Sequence, residues 1–446
     1  MRGLFQLNSE TYYESKLKYR ERPSLEESLQ ADIVIVGGGL AGLALAFELA
    51  QENVNFVLIE ANKIGQSASG RNGGFCSPGW AADDDKILRL FGAGVSKDFC
   101  DLSLEGMDWI KSMTKRSGFE NIRIEKGTVN LFISGSEADA ERMLRKKKVL
   151  YGDAFEMIGG SDLKALVNSC RYKYGLLSTD SFHLNPLKFI VALRNKIVSM
   201  GGQIFENSRM ISHFELDNEF HITLANKKVL KAKRLVMATG GYGGSEIGFL
   251  KTRWLPLQTY IAVTSGLGAS LHLAIPGRFA FSDNRRAGNY FRKISGNRLL
   301  WGRDISALNA VDPKKVGMCA RKDLDFFFPE LVESVGGGEK ISFEYIWSGK
   351  MAYSVSMLPY VRQISPKLYA LMGFGGHGFN TAPIAAKILS EYLLGLGDRV
   401  KVFEQIPFTW NGGVFGPYAA EIFCKWQKTI DFRKLYSSRT PVSRLV

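Results

Sequence analysis

The sequence predicts an α/β protein in which a doubly wound domain on a parallel sheet is interleaved with an antiparallel, β-rich one. Three observations carry this. Near the start, "IVIVGGGLAGLALAFELA" (33–50) runs four aliphatic residues into a glycine turn and straight on into an apolar helical pattern. Residues 368–395 repeat the order of strand, glycine turn and long helix. The stretch 255–350 between them is rich in short strand-like and aromatic pieces. Strand–helix material on both sides of a β-rich insertion means that neither domain is continuous in sequence.

Taken in order, residues up to about 30 form an arm, because Pro23 and several acidic residues interrupt any pattern. Asp32 to Val36 is a strand, Leu40 to Gln51 a helix and Phe56 to Glu60 a second strand, which makes a parallel βαβ unit. Gly127 to Ser134 alternates like a strand, and 136–150 is a charged helix. After "HLNPLKF", a helix runs from about Pro186 to Met200. "FELDNEFHITLAN" reads as a hairpin turning at Asp217-Asn218. "RLVMATG" (234–240) is another buried strand ending at glycine, and the chain after Pro417 reads as a mixed basic and aromatic helix.

With 446 residues, 45% of them hydrophobic and 23% charged, the chain can bury a substantial core and form two or three domains. The formal net charge is +14. The densest basic runs, Arg145 to Lys148 and Lys227 to Arg234, fall in a charged helix and at the entry to a strand, so they read as solvated faces and nucleic acid is not the expected partner. Cysteines 76, 100, 170, 319 and 424 show neither CxxC nor metal-ligand spacing, so no disulfide framework and no metal site is expected. The chain reads as reduced and cytoplasmic. Its first thirty residues lack the apolar core of a signal peptide, and the one long apolar stretch is broken by glycines and Glu48. A membrane is not the expected partner, and at most a peripheral contact would fit.

The glycine turn has a physical reading. Gly37 permits the tight exit from the strand, Gly39 lets the backbone approach a pyrophosphate, and Gly42 lets helix and strand pack closely. The pyrophosphate would meet Leu40, Ala41 and the positive end of the helix dipole. Glu60, followed by Ala61, closes the second strand where a carboxylate can accept from a ribose diol, which disfavours NADP and leaves FAD or NAD.

"IGQSASGRNGG" (64–74) then adds a second glycine-rich loop. With "HLNPLK" (183–188), "ATGGY" (238–242), "LPLQTYIAVT" (255–264), "WSGKMAYSVSMLPYV" (347–361) and "GFGGHG" (373–378), the sequence resembles the D-amino-acid-oxidase-like superfamily of FAD-dependent oxidoreductases, and within it the branch of gamma-glutamylputrescine oxidases. The resemblance covers about residues 31 to 430. It implies FAD held by Gly37, Gly39, Leu40, Ala41, Gly42, Glu60 and Ala61, by Ser69, Gly70, Arg71, Asn72, Gly73 and Gly74, by Ala238, Thr239 and Gly240, and by Gly373, Gly375, Gly376, His377 and Gly378. The last loop would aim a helix N-terminus at the flavin's pyrimidine side, with Thr381 as cap and Pro383 in the first turn. The implied domain division is an arm (1–30), an FAD-binding Rossmann-like domain in three parts (31–120, 176–250 and 351–446 with the tail) and a substrate domain in two (121–175 and 251–350).

For catalysis the resemblance offers Tyr260, Arg292, Trp347, Tyr353 and His377, with Tyr290, Trp301 and Arg303 as further polar-tipped candidates. Relatives that oxidise α-amino acids carry an arginine and a proline after the W-x-G turn, where this chain has Met351 and Ala352. A free α-carboxylate is therefore not the expected anchor. Relatives with covalent flavin use a cysteine in that turn or a histidine near the second glycine loop; Lys350-Met351 and Ser69-Gly70-Arg71 stand there, so the FAD is expected to be noncovalent. The expected reaction is oxidation of an amine, such as a polyamine conjugate, by hydride transfer to flavin N5, followed by hydrolysis of the imine to an aldehyde and reoxidation by O2 or another acceptor. Two alternatives stay open: a flavoenzyme acting on a modified tRNA side chain, and a flavin-bearing interaction or electron-transfer subunit without amine turnover.

Overall fold

In the computed structural model, residues 10–285, 288–308 and 311–437 are described. The chain forms two sheets. The first has the spatial order Tyr360–Ser365, Leu368–Met372, Val229–Met237, Leu29–Val36, Phe56–Ile59 and Gln203–Phe205. From Leu368–Met372 to Gln203–Phe205 every pairing is parallel. A hairpin of Met210–Leu216 and Glu219–Leu224 adds antiparallel strands to Val229–Met237. It turns at Asp217 and Asn218, whose φ values of 52° and 68° suit the paired left-handed turn expected there.

Parallel strands need helical crossovers, and strands buried in this way read as unbroken aliphatic runs. Leu40–Gln51, Pro186–Ser199 and Gly378–Leu393 supply much of the helical cover. Val34, Ile35, Val57 and Leu58 are completely buried in the resulting core.

The second sheet has the order Phe343–Ser354, Trp254–Thr264, Arg298–Ser306, Tyr290–Ile294, Ala280–Asp283, Glu125–Phe132, Tyr174–His183 and Phe75–Cys76, with Phe155–Gly159 also paired to Tyr174–His183. The interleaving matches the sequence reading, but the changeovers differ from the implied boundaries. The sheet is antiparallel except where Ala280–Asp283 pairs in parallel with Glu125–Phe132, and because Tyr174–His183 also pairs with Glu125–Phe132 it extends to His183 and not to 175. Phe343–Ser354 is a continuous strand paired to Trp254–Thr264, with Thr259 opposite Gly349, so the expected W-x-G turn is straight backbone and the sheet ends at Ser354. Nothing local marks these ends; cross-strand partners distant in sequence set them.

The arm is more than a leader into the first domain. Tyr12 and Tyr13 start a capped turn at Thr11 and are buried against Trp347 and Tyr345. A 31-residue helix, Asp84–Thr114, bends at Gly92, whose φ is 77°. The final helix spans Gly416–Ser437. Among the described residues, no helix is long and apolar enough to cross a membrane, and no three metal-ligating side chains converge.

Candidate functional site

The first glycine turn leaves the central strand at Val36. Gly37 has φ +119°, and a Cβ there would lie 2.5 Å from the Ala238 carbonyl oxygen of the neighbouring strand end. A Cβ at Gly42 would lie 2.0 Å from the Gly37 carbonyl oxygen. The helix Leu40–Gln51 begins at Gly39, which gives it no side-chain cap. Ser69 Oγ, from the second glycine loop, accepts the Leu40 N–H at 2.9 Å. Glu60 sits beside the turn and accepts from Gly38 N at 2.7 Å and Asn62 N at 3.0 Å. Burial raises its carboxyl pKa, and those two N–H donors oppose the rise. Two bonds leave the carboxylate with acceptor capacity for a hydroxyl-bearing ligand.

These groups border a cavity of about 1590 Å³ that also reaches the second glycine loop, the strand ends at Ala238–Gly240, the antiparallel sheet and the C-terminal glycine loop. Thr239 Oγ1 and Trp254 Nε1, both on its wall, are buried without a hydrogen-bond partner in the protein. Buried polar atoms are rarely left so, and here a polar ligand would satisfy them.

The second loop is held mainly from behind. Asn72 spends its side chain on the loop: Nδ2 donates to the Ala68 and Ser69 carbonyls, and Oδ1 accepts from Gly74 N. These bonds shape the loop, and Asn72 itself lies on the cavity wall. Arg292 is placed differently from expectation. Its Nε donates to the Gly73 carbonyl at 2.7 Å and its Nη2 to the Leu184 carbonyl at 3.0 Å and to Tyr13 Oη at 3.3 Å. It does not border the cavity. A guanidinium buried among carbonyls is a clamp, so Arg292 leaves the catalytic set.

Trp347 Nε1 donates to the Arg71 carbonyl at 2.8 Å, and Tyr13 Oη to the Asn72 carbonyl at 3.0 Å. Arg71 itself is buried on the cavity wall and lies 3.6 Å from Glu14 of the arm. Gly42, Gly70 and Gly74 also stand off the wall. Each lets backbone approach backbone: a Cβ at Gly70 or Gly74 would meet the Gly65 or Leu184 carbonyl oxygen at 2.1 or 2.0 Å. The motif at 183–188 completes the clamp. His183 Nε2 donates to the Arg278 carbonyl and Nδ1 accepts from Arg292, while Asn185 caps the next helix through Lys188 N.

The antiparallel sheet walls the other side with Tyr260, Tyr290, Trp347, Lys350, Met351 and Tyr353. Gln258, which sequence reasoning did not single out, lies among them and donates from Nε2 to Ser348 Oγ at 2.6 Å. Tyr260 Oη accepts from Val311 N, and burial raises its pKa. Tyr242 Oη accepts the Lys350 N–H at 3.0 Å. The Lys350 ammonium is pushed below the usual lysine value by burial. Trp301 and Arg303 are not on the wall; both donate to Asp323 on the sheet's far side.

The C-terminal loop closes the site. Gly373 and Gly375 have φ +91° and +59°. Phe374 forms a lone antiparallel bridge with Tyr353, so the loop is pinned to the end of the antiparallel sheet. Burial raises the Tyr353 phenol to about 12, against the opposing effect of the Gly376 N–H. His377 Nε2 donates to the Ser77 carbonyl at 3.1 Å, and burial lowers the ring's pKa against the opposing effect of the Ser77 and Pro78 carbonyls.

The helix begins at Gly378, three residues before the expected cap. Thr381 is inside it, with Oγ1 donating back to the His377 carbonyl at 2.7 Å, and Pro383 falls in the second turn. The short turn Gly375–His377 leads directly into the helix, which moves its N-terminus into the loop itself.

Comparison with known proteins agrees with this arrangement. The family model for FAD dependent oxidoreductases (DAO) matches residues 32–392. The chain is 26% identical over 429 residues to the probable oxidoreductase OrdL of Haemophilus influenzae, covering 94% of this chain and 96% of that protein. It is 27% identical over 411 residues to the gamma-glutamylputrescine oxidoreductase of Escherichia coli, covering 91% and 93%. Among solved structures, glycine oxidase from Geobacillus kaustophilus superposes with a TM-score of 0.67 at 18% identity over 85% of this chain and 98% of that one, a likeness of fold.

Proposed function

Since the chain belongs to the DAO family of FAD-dependent oxidoreductases and its cofactor is FAD, we propose that it oxidises the CH–NH bond of an amine, a polyamine conjugate or a related compound. The residues present fit the cofactor. Gly37, Gly39, Leu40, Ala41 and Ser69 border the wall where a pyrophosphate would lie, Glu60 offers an acceptor to a ribose, and Thr239 Oγ1 is an unused polar atom on the same wall. Gly373 to Gly378 would meet the flavin ring. When bound, FAD supplies a two-electron acceptor that takes a hydride from the carbon next to nitrogen.

The observation that carries the substrate reading is the cavity wall at Met351 and Ala352. The strand carries Met351 and Ala352 there, at the positions where the resemblance leads one to expect an arginine and a proline in relatives that act on α-amino acids. Without that bidentate guanidinium, a free α-carboxylate gains little. The rings of Tyr290, Trp347 and Tyr353, which share one face of the sheet, favour an approaching cation. Hydride leaves from the neutral amine, so the substrate gives up its ammonium proton before reaction. The nitrogen's proton leaves as the imine forms, and water converts the imine to an aldehyde with release of ammonia, or of the shortened amine where the nitrogen was secondary. The final acceptor of the two electrons would be O2, giving hydrogen peroxide, or another oxidant. The Escherichia coli relative, named for a gamma-glutamyl polyamine, supports this class of substrate.

The test is anaerobic titration of the FAD-bound protein with a panel of polyamines, their acyl conjugates and amino acids, following the visible flavin absorption. Bleaching by amines or conjugates is expected. Selective bleaching by amino acids would overturn the reading of Met351.

A further inference from the structure

The helix Gly416–Ser437 is inside out. Its protein-facing positions include Ala420, Glu421, Cys424, Lys428 and Asp431, at the three-and-four spacing of one helical face. Polar contacts anchor that face: Glu421 accepts from Ser306 Oγ at 3.0 Å and from Ala307 N at 2.8 Å, and Lys428 pairs with Asp304. The opposite face carries Tyr418, Ile422, Phe423 and Trp426, exposed by 60%, 70%, 48% and 56%. The preceding loop extends this surface with Trp410, Val414 and Phe415, exposed by 59%, 77% and 75%. A helix on a water-soluble protein normally turns these faces the other way, and a large exposed apolar patch marks an interaction surface.

We propose that this face docks on the surface of an anionic lipid membrane. Charge identifies the occupant. Between Trp410 and Arg433 the exposed charged residues are Lys425 and Arg433, whereas Glu421 is largely covered and Asp431 buried. Lys425 approaches Glu421 only at 3.8 Å, with its own side chain 72% exposed. The sequence adds Arg439 and Arg444 beyond the helix, on a chain of net charge +14. Aromatic rings with cations around them settle at the headgroup level of anionic bilayers. A second copy would instead bring like charges together across a two-fold axis. Asn411, Val414 and Pro417 border the cavity, so docking sets the cofactor cavity beside the lipid.

The experiment is flotation of the full-length FAD-bound protein with vesicles of phosphatidylcholine alone and of phosphatidylcholine mixed with phosphatidylglycerol. Binding to the anionic vesicles only, weakened by salt, is expected. Ile422→Ser with Trp426→Ser should reduce partition by about tenfold or more while flavin content and thermal midpoint stay unchanged. Lys425→Glu should weaken binding without touching the apolar face, which keeps the test decisive if the double variant folds poorly. Val149→Ser, at an exposed residue of another helix, should bind as the parent does. Failure to float with anionic vesicles overturns the proposal. So does a dimer in sedimentation that the double variant abolishes, since the face would then be a self-association surface.

Discussion

The phenol of Tyr353 stands so close to Gly376 that a Cβ on the glycine would lie 2.8 Å from Tyr353 Oη. This contact joins the end of the antiparallel sheet to the C-terminal glycine loop, beside the backbone bridge from Tyr353 to Phe374. Gly376→Ala must therefore displace either the ring or the loop. The expected outcome is retained FAD, a shifted visible spectrum and amine turnover reduced about tenfold or more, since a barrier change of ~1.4 kcal/mol already gives that factor. Adding Tyr353→Phe removes the clashing oxygen and should restore part of the spectrum. A Gly376→Ala protein with parental spectrum and turnover would show that the contact carries no weight.

A second prediction concerns Gly42, which does not border the cavity. Its missing Cβ leaves room for the Gly37 carbonyl oxygen, a backbone atom that no rotamer change can move. Gly42→Ala should separate the helix Leu40–Gln51 from its strand, lower stability by about 3 kcal/mol and yield protein largely free of flavin. The ratio of visible to ultraviolet absorption after purification, together with the thermal midpoint, checks both effects. Full flavin occupancy in this variant would contradict the packing argument.

Met351→Arg tests the substrate reading by restoring a guanidinium to the cavity wall. A charge-assisted bond to carboxylate contributes about 1.5–3 kcal/mol, so KM for amino acids should fall by roughly ten- to a hundredfold while the preferred amine is disfavoured. Steady-state kinetics on both substrate classes give the answer. An unchanged preference would mean that the substrate does not approach this strand.

His183 makes stability depend on pH. Burial, and then the nearby charge of Arg292, lower its pKa from 6.5 to about 3. Below pH 6.5 the unfolded chain takes up a proton that the folded ring refuses until about pH 3, so stability is retained above this window and lost as pH falls through it. The slope for one such group is at most about 1.4 kcal/mol per pH unit. His183→Gln should therefore be destabilised near neutrality yet show a flatter decline between pH 6.5 and pH 4. Urea midpoints across that range decide it, and parallel slopes for parent and variant would reject the assignment.

What the sequence by itself determined follows from short-range physics. An aliphatic run, a glycine turn and an apolar helix can satisfy their backbone groups and bury their faces in few ways, so the approximate bounds of Leu40–Gln51 and Phe56–Ile59 were legible, and Leu29–Val36 was legible except for its first three residues. The glycines at 37 and 42 were legible for the same reason, because the approach of two backbones excludes every side chain. The tertiary structure decided which long polar side chains face the cavity. Arg292 and Asn72 carry chemistry suited to a site, yet carbonyls brought together from Gly73, Leu184, Ala68 and Ser69 consume most of their donors. The arm residue Tyr13 joined that clamp only because the sheet carrying Trp347 folds back over it. The polar inward face of Gly416–Ser437 was likewise hidden, since a helix's own periodicity shows two faces and only its partners, Asp304, Ser306 and Ala307, determine which one turns inward.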